Sequence, residues 1–470
     1  MDTPPINSIQ CLYRSVSQLW WLLLCPLLLV TTWTTAQTAT RRFTYLTTDQ
    51  GLSQNNVTSI VRDRQGFMWF GTRDGLNKYD GYTCTVYRHD PANPTSIGHN
   101  YIQTLFIDGQ GRLWIGTDEG GLSLFDARTE RFTNYQHVAG NQRGFTSNQI
   151  LSVIQDKEGY LWVGTGRGGI SRFHPDRHTL TTYTHNAADS TSLSDPTVHS
   201  LCFDRNGTLW VGTPKGLDRF DAATGRFIHY RHNPADPSSL SADDVNVVYL
   251  DSRGQLWIGM EGGGLDRVEP NQKGFVHYRK AAGTTRQLSH LDVISLTEDL
   301  QHNLWIGTRN GGITVRSPRD TFSYYSYDEN QPGGLNNGSI YAMYQDPTGL
   351  MWVGTYSGGV NRLSTDRPKF TLYRNSPNKL DQLSNNNVLS ILEDKAGNVW
   401  VGTDGGGINL LAKGASAFRS YQHQPTTSRS IGSNYVLAIT EDSKGRIWTG
   451  NYKGGLSRYD QATNRFVTDP

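Results

Sequence analysis

The feature that most constrains what this chain can fold into is the interval at which tryptophan recurs. Trp69, Trp114, Trp162, Trp210, Trp257, Trp305, Trp352, Trp400 and Trp448 are separated by 45, 48, 48, 47, 48, 47, 48 and 48 residues. Each stands in a similar core, from "GFMWFGTRDGL" through "GRLWIGTDEGGL" to "GRIWTGNYKGGL"; only Trp20, Trp21 and Trp33 lie outside the series. A fixed period of this length marks a repeat array. Read once, "GRLWIGTDEGGLSLFD" resembles a phosphate-binding loop. Such a loop ends at a helix N-terminus, whereas every glycine cluster here leads into another apolar strand, so its glycines are read as turns.

Repeat 3, residues 148–183, divides into four short apolar runs, "ILSVIQD", "YLWVGT", "ISRFH" and "TLTTY", each bounded by turn residues. Asp156-Lys157-Glu158-Gly159 has hairpin chemistry, with glycine available for positive φ. Four antiparallel strands per unit, repeated, predict an all-β chain of β-propeller blades. Blades are covered on both faces, so their strands need not alternate apolar and polar residues. The W-x-G spacing is read as a large–small pair, with Gly164 making room for Trp162. The Asp of "D-x-x-G-x-x-W" is read as a turn former, since the alternating acids of a calcium loop are missing.

Basic and acidic residues nearly balance, 44 against 42, which removes the electrostatic case for nucleic acid. Fifty glycines suit tight turns. Near the N-terminus, "LWWLLLCPLLLVTTW" is followed by "TTAQTA", which predicts an export signal over 1–36, cleaved after Ala36, or else an N-terminal anchor. The expected localisation is periplasmic or exported. Cys84 and Cys202 fall at different places in their repeats, and no disulfide between them is expected. No metal or cofactor is expected either.

The order "GLSQNNVTSIVRDRQGFMWFGTRDGLNKYDGY", followed by repeated "D-x-x-G-x-L-W-I-G-T-x-x-G-G-L-x-R-F-D", resembles the two-component regulator propeller repeat. That repeat is typical of periplasmic sensor regions of hybrid two-component systems in Bacteroidota-type bacteria. The resemblance runs from about Phe43 to the end, with departures at His302-Asn303, "GTPKGL" and "TGN". It implies a non-catalytic sensing module that binds an oligosaccharide derived from a polysaccharide and, in a longer chain, signals to a histidine kinase. It leaves room for a homodimer of the full-length sensor, and for membrane contact only through the N-terminal segment or C-terminal parts not seen here. An exported propeller glycosidase or lyase and a protein-interaction scaffold stand as the alternatives.

"RRFTYL" precedes the first complete unit and is similar to "RFTNY" and "KFTLY", so it is a candidate outer strand for the blade of repeat 7. On that reading 41–365 form a seven-bladed propeller, and 366–470 supply two further repeats, the start of a truncated second propeller. A single ring of eight or nine blades is the alternative.

In such blades the glycine turns and the loops leading into the inner strands share one end, where side chains vary between repeats. The turns place Arg73, Asp74, Asp118, Glu119, Arg167, Lys215, Glu261, Arg309, Asn310 and Tyr356 there, and the lead-in loops place Asn56, Tyr101, His199, His290 and Tyr341. Loops on a rigid scaffold are where binding concentrates, and aromatics beside paired polar groups suit a sugar. No catalytic pair of acids stands out from the periodic background.

Overall fold

The computed structural model describes residues 42–138, 144–177, 179–269, 274–279, 288–329, 333–364, 373–375 and 382–469. The predicted export signal and the junction near 365 lie outside them. Among the described residues the one helical turn is Thr48–Gln50, and the rest of the regular structure forms nine four-stranded antiparallel sheets. Blade 1 runs Val57–Arg62, Met68–Thr72, Gly75–Tyr79 and Cys84–Tyr87, from inner to outer strand. Repeat 3 forms its four strands at Ile150–Gln155, Leu161–Thr165, Ile170–His174 and Thr179–Tyr183.

Local chemistry sets each hairpin. In blade 2 the Asp108 carboxylate accepts from the backbone N–H of Gln110 at 3.0 Å and of Arg112 at 2.8 Å, while Gly111 takes φ +86°. Repeat 6 has no glycine at that place, and His302 takes the left-handed conformation instead, at φ +61°. Its blade forms all the same, through Val293–Glu298, Leu304–Thr308, Ile313–Arg316 and Phe322–Tyr325.

Packing between blades follows one rule. In blades 1 to 6 the second strands, such as "LWIGT" at Leu113–Thr117, are buried at every position, as sheets covered on both faces require. Trp114 packs with Ile150, Val153 and Phe173 of the next blade, and buries roughly 150–250 Å², about 4–6 kcal/mol of gross transfer free energy. The glycine two residues on has a different partner from the one its spacing suggests. A Cβ on Gly164 would lie 2.6 Å from Val198, in the lead-in to the inner strand of the following blade, and one on Gly116 would lie 2.8 Å from Ile150, the first inner-strand residue of the following blade, as well as 2.6 Å from Thr104 of its own. The large–small pair is therefore a correction to the sequence reading: glycine makes room for the neighbouring blade, and the tryptophan beside it faces that blade too.

Contacts divide the chain into two compact units, Arg41–Arg367 and Pro368–Pro470. Within the first, inner strands touch in succession from blade 1 to blade 7, and the inner strand of blade 7, Ile340–Gln345, touches that of blade 1. Three further observations bear on this seam. Phe43–Leu46 is the fourth strand of blade 7, pairing antiparallel with Val360–Ser364 from Phe43 opposite Leu363 to Leu46 opposite Val360. Trp352 of blade 7 shares a core with Leu52, Val57, Ile60 and Phe70 of blade 1. Finally, a Cβ on Gly354 would lie 2.7 Å from Val57.

Blades 8 and 9 form the second unit, with inner strands Val388–Glu393 and Val436–Glu441. Trp400 packs with Val436, Ile447 and Phe466, so the same rule joins this pair. Val388 and Ile391 are 40% and 66% exposed, where the corresponding Val57 and Ile60 of blade 1 are 0% and 6% exposed.

Candidate functional site

The end of the first unit that carries the variable residues is built by a repeated backbone device. In blade 2 the buried Thr117 hydroxyl accepts from the Gly120 N–H and donates to the Gly121 carbonyl, both at 2.9 Å. The two residues between, Asp118 and Glu119, are thereby left at the surface, half-buried and exposed respectively. The Gly121 N–H then donates to the Asn148 carbonyl in the lead-in loop of blade 3 at 2.9 Å, and the Gly359 N–H donates to Asn55 of blade 1 at 2.9 Å. Turns and lead-in loops thus form a belt held by main-chain bonds.

A second device aims side chains into this belt. Six of the seven inner strands of this unit carry a register shift at their start, as between Ile102 and Thr104 or Ile340 and Ala342. A bulge leaves one residue unpaired and re-aims its side chain. The residues at these bulges include Thr58, Gln103, Asn246 and Tyr341. Tyr341 is among the residues expected from sequence, whereas Gln103 and Asn246 were missed. Their only signal is their position, immediately after the first apolar residue of the inner strand.

The expected residues fall into arcs. Blades 7 and 2 contribute aromatic rings around a cation from blade 1: the Tyr341 and Tyr356 rings stack at 5.8 Å, and the Arg73 guanidinium lies 5.5 Å from the Tyr356 ring and 5.2 Å from that of Tyr101. Next along, one oxygen of Asp118 accepts from the side-chain amides of both Gln103 and Gln149 at 2.9 Å. On the far arc, Glu261 pairs with Arg309 at 3.0 Å and accepts from the Asn246 amide at 3.3 Å. His199 lies 3.6 Å from Asp244.

Other expected residues make local bonds. Asp74 pairs with Arg88 at 3.0 Å, and Lys215 with Asp195 at 3.1 Å. His290 accepts from the Asp292 N–H at 3.1 Å, and Asn310 accepts from the Ser339 hydroxyl at 2.8 Å. Glu119 and Arg167 stand exposed. The Asn56 side chain is 7% exposed, and its carbonyl oxygen has no hydrogen-bond partner. Burial pushes the Asp195 carboxyl up, but the Thr197 N–H and the Lys215 ammonium outweigh it and hold it below the usual range.

Chemically, the carboxylates of Asp74, Asp118, Asp195 and Glu261 are each held by donors, which fixes their orientation as acceptors. The tyrosine arc supplies flat apolar faces. Among the described residues no group of three or more His, Cys, Asp and Glu side chains converges as a metal site requires, and no helix is long and apolar enough to cross a membrane. Cys84 and Cys202 are free thiols, pushed up by burial to about 11 and about 12 respectively.

Comparison with known proteins bears on the repeat first. The two component regulator propeller model matches eight times, at residues 51–74, 96–119, 144–167, 192–215, 239–262, 334–357, 382–405 and 430–453. The blade of Trp305, with His302 in place of the turn glycine, is the one outside these matches. A histidine kinase, P4, of Formosa agariphila is 48% identical over 62 residues, which is 13% of this chain and 4% of that protein. The extracellular domain of a hybrid two component system from B. thetaiotaomicron superposes with a TM-score of 0.69 at 27% identity, covering 92% of this chain and 55% of that one. Virginiamycin B lyase from Staphylococcus aureus superposes with a TM-score of 0.50 at 12% identity, covering 69% of this chain and 99% of that one, a likeness of fold alone. The chain therefore spans about half the length of the solved sensor domain it matches.

Proposed function

We propose that this chain, a protein of two component regulator propeller repeats, is the non-catalytic ligand-sensing region of a hybrid two-component system. It acts outside the cytoplasm, in the periplasm after export, and its ligand is an oligosaccharide released from a polysaccharide. In a longer chain the binding event is passed to a histidine kinase. The observation that carries this reading is the arc of Tyr341, Tyr356 and Tyr101 around Arg73, drawn from three blades. Sugar rings stack their apolar faces on aromatic faces, and the oriented amides and carboxylates farther round the belt suit hydroxyl groups.

The ligand-binding set proposed is Arg73, Asp74, Tyr101, Asp118, Glu119, Arg167, His199, Lys215, Glu261, His290, Arg309, Asn310, Tyr341 and Tyr356, with Gln103 and Asn246 added from the bulges. Likeness to a lyase extends to the fold alone and supplies no reacting group. The test is calorimetric titration of the protein with a panel of polysaccharide-derived oligosaccharides, with the products analysed by chromatography. Saturable heat with unchanged sugar supports the sensor. Released product would make the protein an enzyme, and tight binding to another exported protein, with no heat from any glycan, would make it a scaffold.

A further inference from the structure

The cations on the variable end differ in how they are neutralised. Lys215 and Arg309 on the glycine turns carry carboxylate partners at 3.1 and 3.0 Å, and Asp74, beside Arg73 in the chain, is taken by Arg88. Arg73 has two tyrosine rings and, among the described residues, no carboxylate within ion-pair distance. Arg167 also lacks an acid, but no ring positions it. A guanidinium held by aromatic faces keeps its planar fork of donors available, the geometry that receives a carboxylate or sulfate through two parallel hydrogen bonds.

A second observation lies beside it. Val57 pairs with Thr72 across the first hairpin of blade 1, so Asn56 and Arg73 are the next residues along those two strands. Asn56 is nine-tenths buried with an unpartnered carbonyl oxygen, and a buried acceptor without a donor is costly. A cation flanked by rings and an acceptor without a donor thus stand at neighbouring register positions.

We infer that the ligand is an acidic oligosaccharide, whose carboxylate or sulfate is held by Arg73 while a neighbouring hydroxyl donates to Asn56 and a sugar ring stacks on Tyr101 or Tyr356. This rests on the sugar-binding reading proposed above and specifies the ligand's charge.

The experiment is calorimetric titration of the full chain and its Arg73→Gln and Lys157→Gln variants with two matched pairs of probes. A galacturonic acid oligosaccharide against its methyl ester tests the carboxylate source, and a sulfated galactan oligosaccharide against its desulfated form tests the sulfate source. A neutral malto-oligosaccharide series runs alongside, and the thermal midpoint of each variant reports folding. The expected result is a preference for one charged probe over its uncharged partner. Arg73→Gln weakens the charged probe about ten- to hundred-fold and shifts the uncharged one by less than about three-fold, and Lys157→Gln, in an exposed hairpin at the opposite end, keeps the preference. Equal binding of charged and uncharged partners, binding of neutral sugars alone, or a preference that survives Arg73→Gln overturns the acidic ligand and leaves the sugar-binding reading standing. No heat with any probe overturns both.

Discussion

The indole N–H of Trp114 donates to Asp108 Oδ2 at 2.9 Å, and the same bond recurs in all nine blades at 2.8 to 3.2 Å. The other carboxylate oxygen closes the hairpin through two backbone N–H groups. One side chain therefore satisfies a turn and the polar atom of a tryptophan buried between blades. Removing it leaves those donors unpaired in a site where water is largely excluded. Asp108→Ala is expected to lower the unfolding free energy by about 2–4 kcal/mol, and Asp108→Asn by less, measured from urea unfolding curves. A change under about 0.5 kcal/mol for the alanine variant would make this bond incidental.

The same carboxylates predict the acid limit of the fold. For Asp108, Asp156, Asp346 and Asp394, burial raises the carboxyl, but the tryptophan N–H, neighbouring side chains and backbone donors together bring it below 3.8. A carboxyl lowered on folding stabilises fully above its unfolded value, and that contribution is lost as pH falls through the folded value. The thermal midpoint is expected to drop only as pH falls below about 4, and less steeply for Asp108→Asn. A wild-type decline already complete at about pH 5 would assign acid sensitivity to other groups.

Histidine acts in the opposite sense. His229 bonds the fully buried Asp218 at 2.6 Å, and His277 bonds Asp266 at 2.7 Å. The hydrogen bond that each imidazole donates to its aspartate raises the imidazole above 6.5, with burial opposing. That stabilisation is fully present below 6.5 and lost as pH rises through the raised folded values. Differential scanning calorimetry should show a mild loss of stability above neutrality, absent in the His229→Gln, His277→Gln double variant. An identical decline in that variant would remove the pairs as its cause.

Two glycines in equivalent places should respond differently to the same methyl group. At Gly354 a Cβ meets Val57 of blade 1 at 2.7 Å, whereas at Gly450 of blade 9 the nearest atom is Ala438 Cβ at 3.7 Å. Gly354→Ala is expected to cost about 1–3 kcal/mol by overpacking and to increase proteolysis near the blade 7–blade 1 seam, while Gly450→Ala stays within about 0.5 kcal/mol. Equal tolerance would mean that the seam is looser than its packing indicates.

The repeat made the blades legible, and each of the four strands of repeat 3 lies where its apolar runs place it. What the repeat conceals is which blade a residue serves. Gly164 and Trp162 look like partners because they are two apart, yet Gly164 is closed by Val198, in the next blade. Ser152 looks like an ordinary strand residue, yet its hydroxyl accepts from the Leu201 N–H, 49 residues ahead, at 3.2 Å. At the variable end, sequence locates Asp118 on a turn but cannot see that Gln103 and Gln149 converge on it from two blades. Periodicity gives position within a unit, and contact between units depends on the rotation from one blade to the next.

The central claim, that ligand binds at the turn and lead-in end beside Arg73, is tested most directly by hydrogen–deuterium exchange with and without an oligosaccharide that saturates the protein. Protection is predicted in peptides covering Thr72–Gly75, His99–Gln103 and Thr355–Gly359. Protection confined to the opposite end, at Asp63–Phe67, Asp108–Arg112 and Asp346–Leu350, would contradict the account.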